Sequence, residues 1–147
     1  GCHYIDIHGE GDTQNRVKTP SSARKIPVHS ERIKLGLLDT VKQRPSESFL
    51  FDLRRVNPNL GHVPSKWFGG YKAYLGLPKG TKVFHSFRHT LRDKLTLNGV
   101  PNEHIRELLG HEQIGETFGR YGSSIPVKVL AESLEKLHFS LDVGNDL

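Results

Sequence analysis

Apolar residues that recur at steps of three and four positions restrict the fold of this chain more than any other feature. The clearest example predicts a helix from about His85 to Leu97, with one apolar stripe facing a core. Asn98-Gly99 follows and predicts the end of that helix. The stripe consists of Phe84, Phe87, Leu91 and Leu95.

Four more segments show helical patterns. A first helix is predicted from the N-cap Ser30 to a point before Pro45, and a second over Val63 to Leu75. A short helix follows Pro101 and ends at Gly110, and a last one fits Pro126 to about His138. The residues predicted to share one side of each of the last three helices are Trp67, Phe68, Tyr71 and Leu75; Ile105, Leu108 and Leu109; and Val127, Leu130, Leu134 and Leu137.

Two short strands are predicted near the amino terminus. Cys2 to His8 and Arg24 to Val28 show strand patterns, with Pro27 at an edge or a strand end. Together they predict an antiparallel hairpin with a long, basic tip. The fold class is therefore α+β, mainly α, in a single domain over residues 1–147.

Composition excludes several classes of protein. No run reaches the roughly 20 apolar residues of a membrane helix, so a membrane protein is not expected. The single cysteine, Cys2, excludes an internal disulfide framework and a cysteine-based zinc ribbon. We therefore expect a cytoplasmic protein with no metal and no cofactor.

Positive charge is concentrated in two segments. The chain has a net charge of +5, yet residues 16–34 hold six basic residues against Glu31, and residues 66–94 hold seven against Asp93. Such segments in an otherwise acidic chain predict contacts with a polyanion. The alternative is ordinary solvated surface. The candidate residues for these contacts are Arg16, Arg24, Lys25, Lys72, Lys82 and Arg92.

Four further pieces of sequence occur in a fixed order. They are Val17-Lys18-Thr19 before Arg24-Lys25-Ile26-Pro27, then His85-Ser86-Phe87-Arg88-His89-Thr90, then Leu108-Leu109-Gly110-His111, and finally Tyr121. In this order and spacing they closely resemble the tyrosine recombinases, also called phage integrases. The resemblance covers essentially the whole chain and implies the catalytic-domain fold of these DNA breaking-rejoining enzymes. It implies Tyr121, Arg88, His85, His111 and Lys18 as catalytic residues, double-stranded DNA as the partner, and the candidate cations named above as DNA-binding residues.

The chemistry of strand exchange suits these residue types. A tyrosine ester of phosphate conserves the energy of the broken phosphodiester, but an unassisted phenol is almost wholly protonated at pH 7. Cations around the phosphate favour its ionisation, and Arg88 offers a bidentate fork to two phosphate oxygens. His85 and His111 can each donate to a phosphate oxygen, and the Lys18 ammonium can protonate the departing 5′-oxygen. Lys25 is the rival for that last role.

The family pattern has one member that this sequence lacks. Tyrosine recombinases clamp the phosphate with two arginines, the first on a helix upstream of the lysine hairpin, and Arg16 lies in the wrong element to replace it. We therefore expect residues 1–147 to be a catalytic domain without its first helices and its amino-terminal DNA-binding domain. Alone it would be monomeric and cleave DNA at the limit of detection; the full-length protein would be a homotetramer on DNA.

The leading prediction is site-specific recombination, such as the integration or excision of a phage or genomic island in a bacterial nucleoid. Three alternatives remain. One is a DNA-binding module without catalysis, and another is a type IB topoisomerase that nicks and religates. The third is a metal hydrolase using His85 and His89, although Arg88 would repel the metal ion and the usual glutamate is missing.

Overall fold

A computed structural model describes residues 1–9, 22–46, 48–51, 61–78, 80–111 and 125–138. The described chain is mainly helical with one two-stranded antiparallel sheet, as predicted. Lys18, Arg16 and Tyr121 lie outside the described residues. The elements are β1 (Tyr4–Ile7), β2 (Arg24–Pro27), α1 (Ser30–Lys34), α2 (Leu37–Lys42), α3 (His62–Tyr74), α4 (Ser86–Leu97), α5 (Asn102–Leu109) and α6 (Val127–Leu134).

The chain divides into two compact units, which differ in burial. Residues 1–35 and 92–147 form the first unit, and residues 36–91 form the second. The buried apolar side chains of the described residues all belong to the first unit. They are Leu95, Val100, Ile105, Leu108, Leu109, Leu130 and Leu137. The predicted core faces of α5 and α6 are therefore confirmed in the main.

Strands β1 and β2 pair in a register that places Ile5 opposite Ile26 and Ile7 opposite Arg24. Pro27 is the last residue of β2, where its missing N–H removes no ladder bond, as predicted. An isolated two-stranded sheet is marginal in water. This sheet is supported because β2 packs against both α5 and α6.

The prediction of one helix from Ser30 to before Pro45 is wrong in two details. The segment forms two helices, α1 and α2, which are separated at Gly36. The φ of Gly36 is 82°, a left-handed conformation that glycine adopts without strain. The cap is also not Ser30. The His29 side chain caps α1 by accepting from the Glu31 N–H at 3.1 Å, and Ser30 is the first helical residue.

Ser30 instead bonds to a residue beyond α6. Its backbone N–H and its hydroxyl donate to the two oxygens of Glu135, at 2.7 and 2.6 Å. Beside it, His29 Nε2 donates to the Leu137 carbonyl at 3.0 Å. The start of α1 is thereby joined to the end of α6, and His104 on α5 bonds to the buried Ser133 on α6 at 2.7 Å.

The apolar stripe of α4 is only partly buried. Leu95 is fully buried, but Phe84 and Phe87 are 50% and 59% exposed. On α3, Trp67, Tyr71 and Leu75 are exposed as well. The prediction of a buried stripe from Phe84 to Leu95 is thus wrong at its first half. Periodicity identifies the apolar face of a helix, but not how much protein covers it.

No helix within the described ranges is long and apolar enough to cross a membrane.

The bonds to Glu135 predict a pH-dependent stability. Burial, the largest single influence, would raise the pKa of Glu135, but the Ser30 hydrogen bonds with nearby His29 and Lys34 outweigh it and lower that pKa. A lowered pKa in the folded state gives stability that is complete above the ordinary value of 4.5 and is lost as the pH falls through the folded value. The side chain is 42% exposed, so we expect only about 1 kcal/mol after solvent screening.

Urea unfolding of Glu135→Gln at pH 6 and pH 3 measures this contribution. The variant should be less stable than the parent at pH 6 and nearly equal to it at pH 3. Glu132→Gln, an exposed position on α6, is the matched control and should lose little at either pH. Equal losses in the two variants at pH 6 would contradict the role of Glu135.

Candidate active site

His111 extends from a sharply defined helix end. Gly110 closes α5 in the left-handed conformation with φ of 65°, as its position after Leu109 predicted. The Gly110 N–H donates to the Glu107 carbonyl at 3.1 Å, and the His111 N–H donates to the Arg106 carbonyl at 3.0 Å. This pair of bonds is a Schellman motif, and it fixes the backbone of His111 relative to the helix. The His111 side chain is exposed.

Arg24, a predicted DNA-binding residue, lies against this helix end. Its Nε donates to the Leu108 carbonyl at 3.2 Å, and its Nη1 donates to the Ser22 carbonyl at 2.7 Å. A Cβ atom on Gly110 would lie 2.6 Å from Arg24 Nη1. Arg24 therefore packs flat against the turn that precedes His111, a contact that no local sequence signal announced.

Lys25, the rival of Lys18 for the general acid, has a different environment. It is exposed, and its ammonium lies 4.9 Å from the centre of the Tyr4 ring. The alternation of side chains along β2 directs Lys25 and Arg24 to opposite faces of the sheet. Lys25 is thus occupied with a cation–π contact across the hairpin and not with the α5 turn.

His85 precedes α4 at a turn that is bonded from both directions. The Ser86 N–H donates to the Val83 carbonyl at 2.9 Å, and the Val83 N–H donates to the Ser86 hydroxyl at 3.1 Å. The His85 and His89 rings lie 4.9 Å apart at nearly a right angle. The exposed His85 ring is therefore carried by an ordered turn, while Arg88 is half-buried one helical turn later.

Three aromatic rings hold this turn against α3. Phe68 lies 5.6 Å from Phe84 and 5.3 Å from Phe87, and Phe84 lies 5.7 Å from Phe87, all between ring centres. The edge-to-face and tilted arrangements are the favourable ones for aromatic pairs. Because Phe84 and Phe87 directly precede His85 and Arg88 in sequence, this trio fixes the segment that carries both predicted catalytic residues.

The remaining candidate cations have varied partners. The Lys72 ammonium donates to the backbone carbonyl of Lys82 and lies 5.5 Å from the centre of the Phe68 ring. Arg92 is exposed and lies 3.7 Å from the Asp93 carboxylate. The structure thus assigns Lys72 a packing role within its unit that charge counting did not indicate.

Two other features of the described residues bear on function. They contain no group of three or more His, Cys, Asp or Glu side chains that could hold a metal ion. An open cavity of about 650 Å³ lies along α3, with Trp67, Tyr71 and Tyr74 in its lining. Its described lining includes none of His85, Arg88 and His111, the predicted catalytic residues that the structure describes.

The structure brings together some of the predicted site residues. In the first unit, Arg24 contacts the turn that precedes His111. In the second unit, His85 lies just before α4 and Arg88 lies in its first turn. Lys18 and Tyr121, being outside the described residues, have no assigned position. The phenylalanine trio and the Arg24 contact were missed by sequence reasoning because both depend on residues far apart in the chain.

A substitution at Gly110 is expected to disturb the Arg24 contact. Gly110→Ala introduces a left-handed alanine, which costs about 1–2 kcal/mol, and displaces Arg24 from Leu108, which costs about 1 kcal/mol more. Gly99→Ala is the matched control, because Gly99 has a φ of 67° but nothing within 4 Å of its added Cβ. Urea unfolding compares the two.

The expected result is a larger loss of unfolding free energy for Gly110→Ala than for Gly99→Ala. Equal losses would mean that Arg24 moves aside at no cost, and would contradict a tight contact.

Comparison with known proteins points to one family. The model of the phage integrase family matches residues 5–125. A curated protein named tyrosine recombinase XerC-like, from Caldanaerobacter subterraneus subsp. tengcongensis, is 32% identical over 122 residues, which is 74% of this chain and 31% of that protein. The chain thus spans about a third of the length of this relative. No solved structure matches this chain.

Proposed function

This chain belongs to the phage integrase family, and we propose that it carries out site-specific DNA recombination through a covalent 3′-phosphotyrosyl intermediate. The observation that carries the proposal is the ordered set Lys18, His85, Arg88, His111 and Tyr121 inside the matched residues 5–125. The likeness to a tyrosine recombinase supports the same class of reaction.

In the first step, the Tyr121 hydroxyl passes its proton to His85 or His111, and its oxygen attacks the scissile phosphorus. A bond forms between that oxygen and phosphorus, the bond from phosphorus to the 5′-oxygen breaks, and the 3′-phosphate stays on the tyrosine. The departing 5′-oxygen receives its proton from the Lys18 ammonium. In the second step, the 5′-hydroxyl of another strand gives its proton to the neutral Lys18 amine and attacks the phosphotyrosine, and the departing Tyr121 oxygen regains its proton from the same histidine.

The remaining residues stabilise charge on the transferring phosphate. Arg88 contacts two non-bridging oxygens with its planar fork. His85 and His111 each donate to a phosphate oxygen. Prepositioned donors of this kind are worth about 10²–10³ in rate each, which explains the value of an ordered turn before α4 and an ordered helix end at Gly110.

The partner is double-stranded DNA, bound by the two basic segments at residues 16–34 and 66–94. We propose that the working form is a homotetramer on DNA in a bacterial nucleoid, and that its element is a phage or a genomic island.

Removal of the nucleophile tests the reaction directly. In the natural full-length protein, Tyr121→Phe should abolish covalent adduct formation and leave DNA affinity nearly unchanged, because phosphate contacts dominate affinity. The substrate is a pool of nicked duplexes with randomised sequence, in which loss of the short cut fragment traps the adduct. Tyr74→Phe removes an exposed hydroxyl on α3 and is the matched control.

Adduct formation by Tyr121→Phe would contradict the assignment of the nucleophile. DNA binding without any adduct in the parent protein would indicate a binding module without catalysis.

A further inference from the structure

The position of Arg24 gives it a different role from the one that its charge suggests. It lies in the basic hairpin, next to Lys25 and a few residues after Lys18, where a phosphate contact is the obvious expectation. Its guanidinium, however, bonds within the protein, to the carbonyls of Leu108 and Ser22. Two of its donor groups are thereby committed to backbone oxygens.

The Leu108 carbonyl lies where α5 needs a donor from outside the helix. The last carbonyls of a helix have no intrahelical partner. Here the Schellman motif uses the N–H groups of Gly110 and His111 for the carbonyls of Glu107 and Arg106. The next carbonyl, of Leu108, accepts from Arg24 Nε. A cation at this end also interacts favourably with the helix dipole.

The absence of a side chain on Gly110 makes this contact possible. An added Cβ would lie 2.6 Å from Nη1 and 2.8 Å from Cζ of Arg24. Gly110 thus serves two purposes, since it takes the left-handed conformation that ends α5 and leaves room for the guanidinium. The turn that projects His111 is clamped between its own helix and Arg24.

Arg24 connects this turn to the hairpin. It is the first residue of β2, paired with Ile7 of β1, and its second bond reaches back to Ser22, towards the hairpin tip. Just after the other end of β2, His29 bonds to the Leu137 carbonyl, three residues beyond the end of α6. The hairpin base therefore has a fixed position relative to the end of α5.

We infer that Arg24 is a positioning residue for the recombination reaction: it holds the His111 turn and the base of the lysine hairpin together, instead of contacting DNA phosphate. This inference rests on the proposed function for the roles of His111 and Lys18. The link between the two elements itself rests only on the hydrogen bonds and packing contacts of Arg24.

The contact between Arg24 and the turn that precedes His111 is tested first, by a measurement that requires no recombination activity. Amide hydrogen exchange by NMR on the 147-residue chain reports the opening of the Gly110 and His111 bonds. Arg24→Ala should speed exchange at these two amides about 3- to 10-fold. The amides of Gly99 and Val100, which close the end of α4 in the same way, are the internal reference. Lys25→Ala should change neither pair.

The role in the reaction is tested on the natural full-length protein, by single-turnover adduct formation at saturating DNA. Arg24→Ala should slow cleavage roughly 10- to 100-fold, because displacement by about 1 Å has effects of that size. DNA affinity and the slope of its salt dependence should stay unchanged. Arg24→Lys keeps the charge but not the fork, so it should bind DNA normally and cleave slowly.

A double-variant comparison locates the effect. If Arg24 acts through His111, Arg24→Ala should slow a His111→Ala protein much less than it slows the parent. A salt slope lower by about one in Arg24→Ala, with normal exchange at His111, would mean that Arg24 contacts phosphate and would overturn the inference. Faster exchange at all amides alike would also overturn it, since that indicates general destabilisation.

Absence of cleavage in every form, the parent included, would count against the proposed function. The exchange data would still decide whether Arg24 holds the His111 turn.

Discussion

The hydrogen bond from Arg24 to the Leu108 carbonyl fixes the position of β2 relative to the end of α5 in the first unit. It joins a strand and a helix that are 84 residues apart in sequence. A single bond of this kind contributes only about 1 kcal/mol. Its importance is geometric, because the same guanidinium fills the space above Gly110 and so fixes the direction in which the chain leaves α5.

The core beneath this contact explains why β2 keeps a fixed position. The two-stranded sheet is too small to be stable alone, and its support comes from α5 and α6, which bury Ile105, Leu109 and Leu130. β2 continues into α1, whose first residue bonds to Glu135 beyond α6. Because the strand is held at both ends, a side chain on it can hold a neighbouring helix end in place. An enzyme that depends on prepositioned donors benefits from such a frame.

Local sequence patterns predicted those parts of the structure that have local causes. The left-handed Gly110, the end of β2 at Pro27 and the buried face of α5 follow from backbone preference or periodicity, and all are confirmed. The break at Gly36 was missed because a glycine inside a helical pattern is often tolerated. Phe84 and Phe87 fit the α4 stripe but instead form a partly exposed trio with Phe68.

For the candidate site, the sequence pattern predicted residue types and their order. It did not predict the backbone turns and contacts that hold these residues in place. His85, Arg88 and His111 were identified by spacing and resemblance, and the structure shows the ordered turn and helix end that carry them. Arg24 was named as a DNA-binding candidate from charge density, which does not reveal that its guanidinium bonds to a distant carbonyl.

We propose that this chain joins itself covalently to DNA through one tyrosine. The most direct test is mass spectrometry of the covalent complex that the natural full-length protein forms with nicked DNA, after digestion of both protein and DNA. The expected product is a single modified peptide in which Tyr121 carries a nucleotide through its 3′-phosphate. A linkage at another residue, or through a 5′-phosphate, would contradict it.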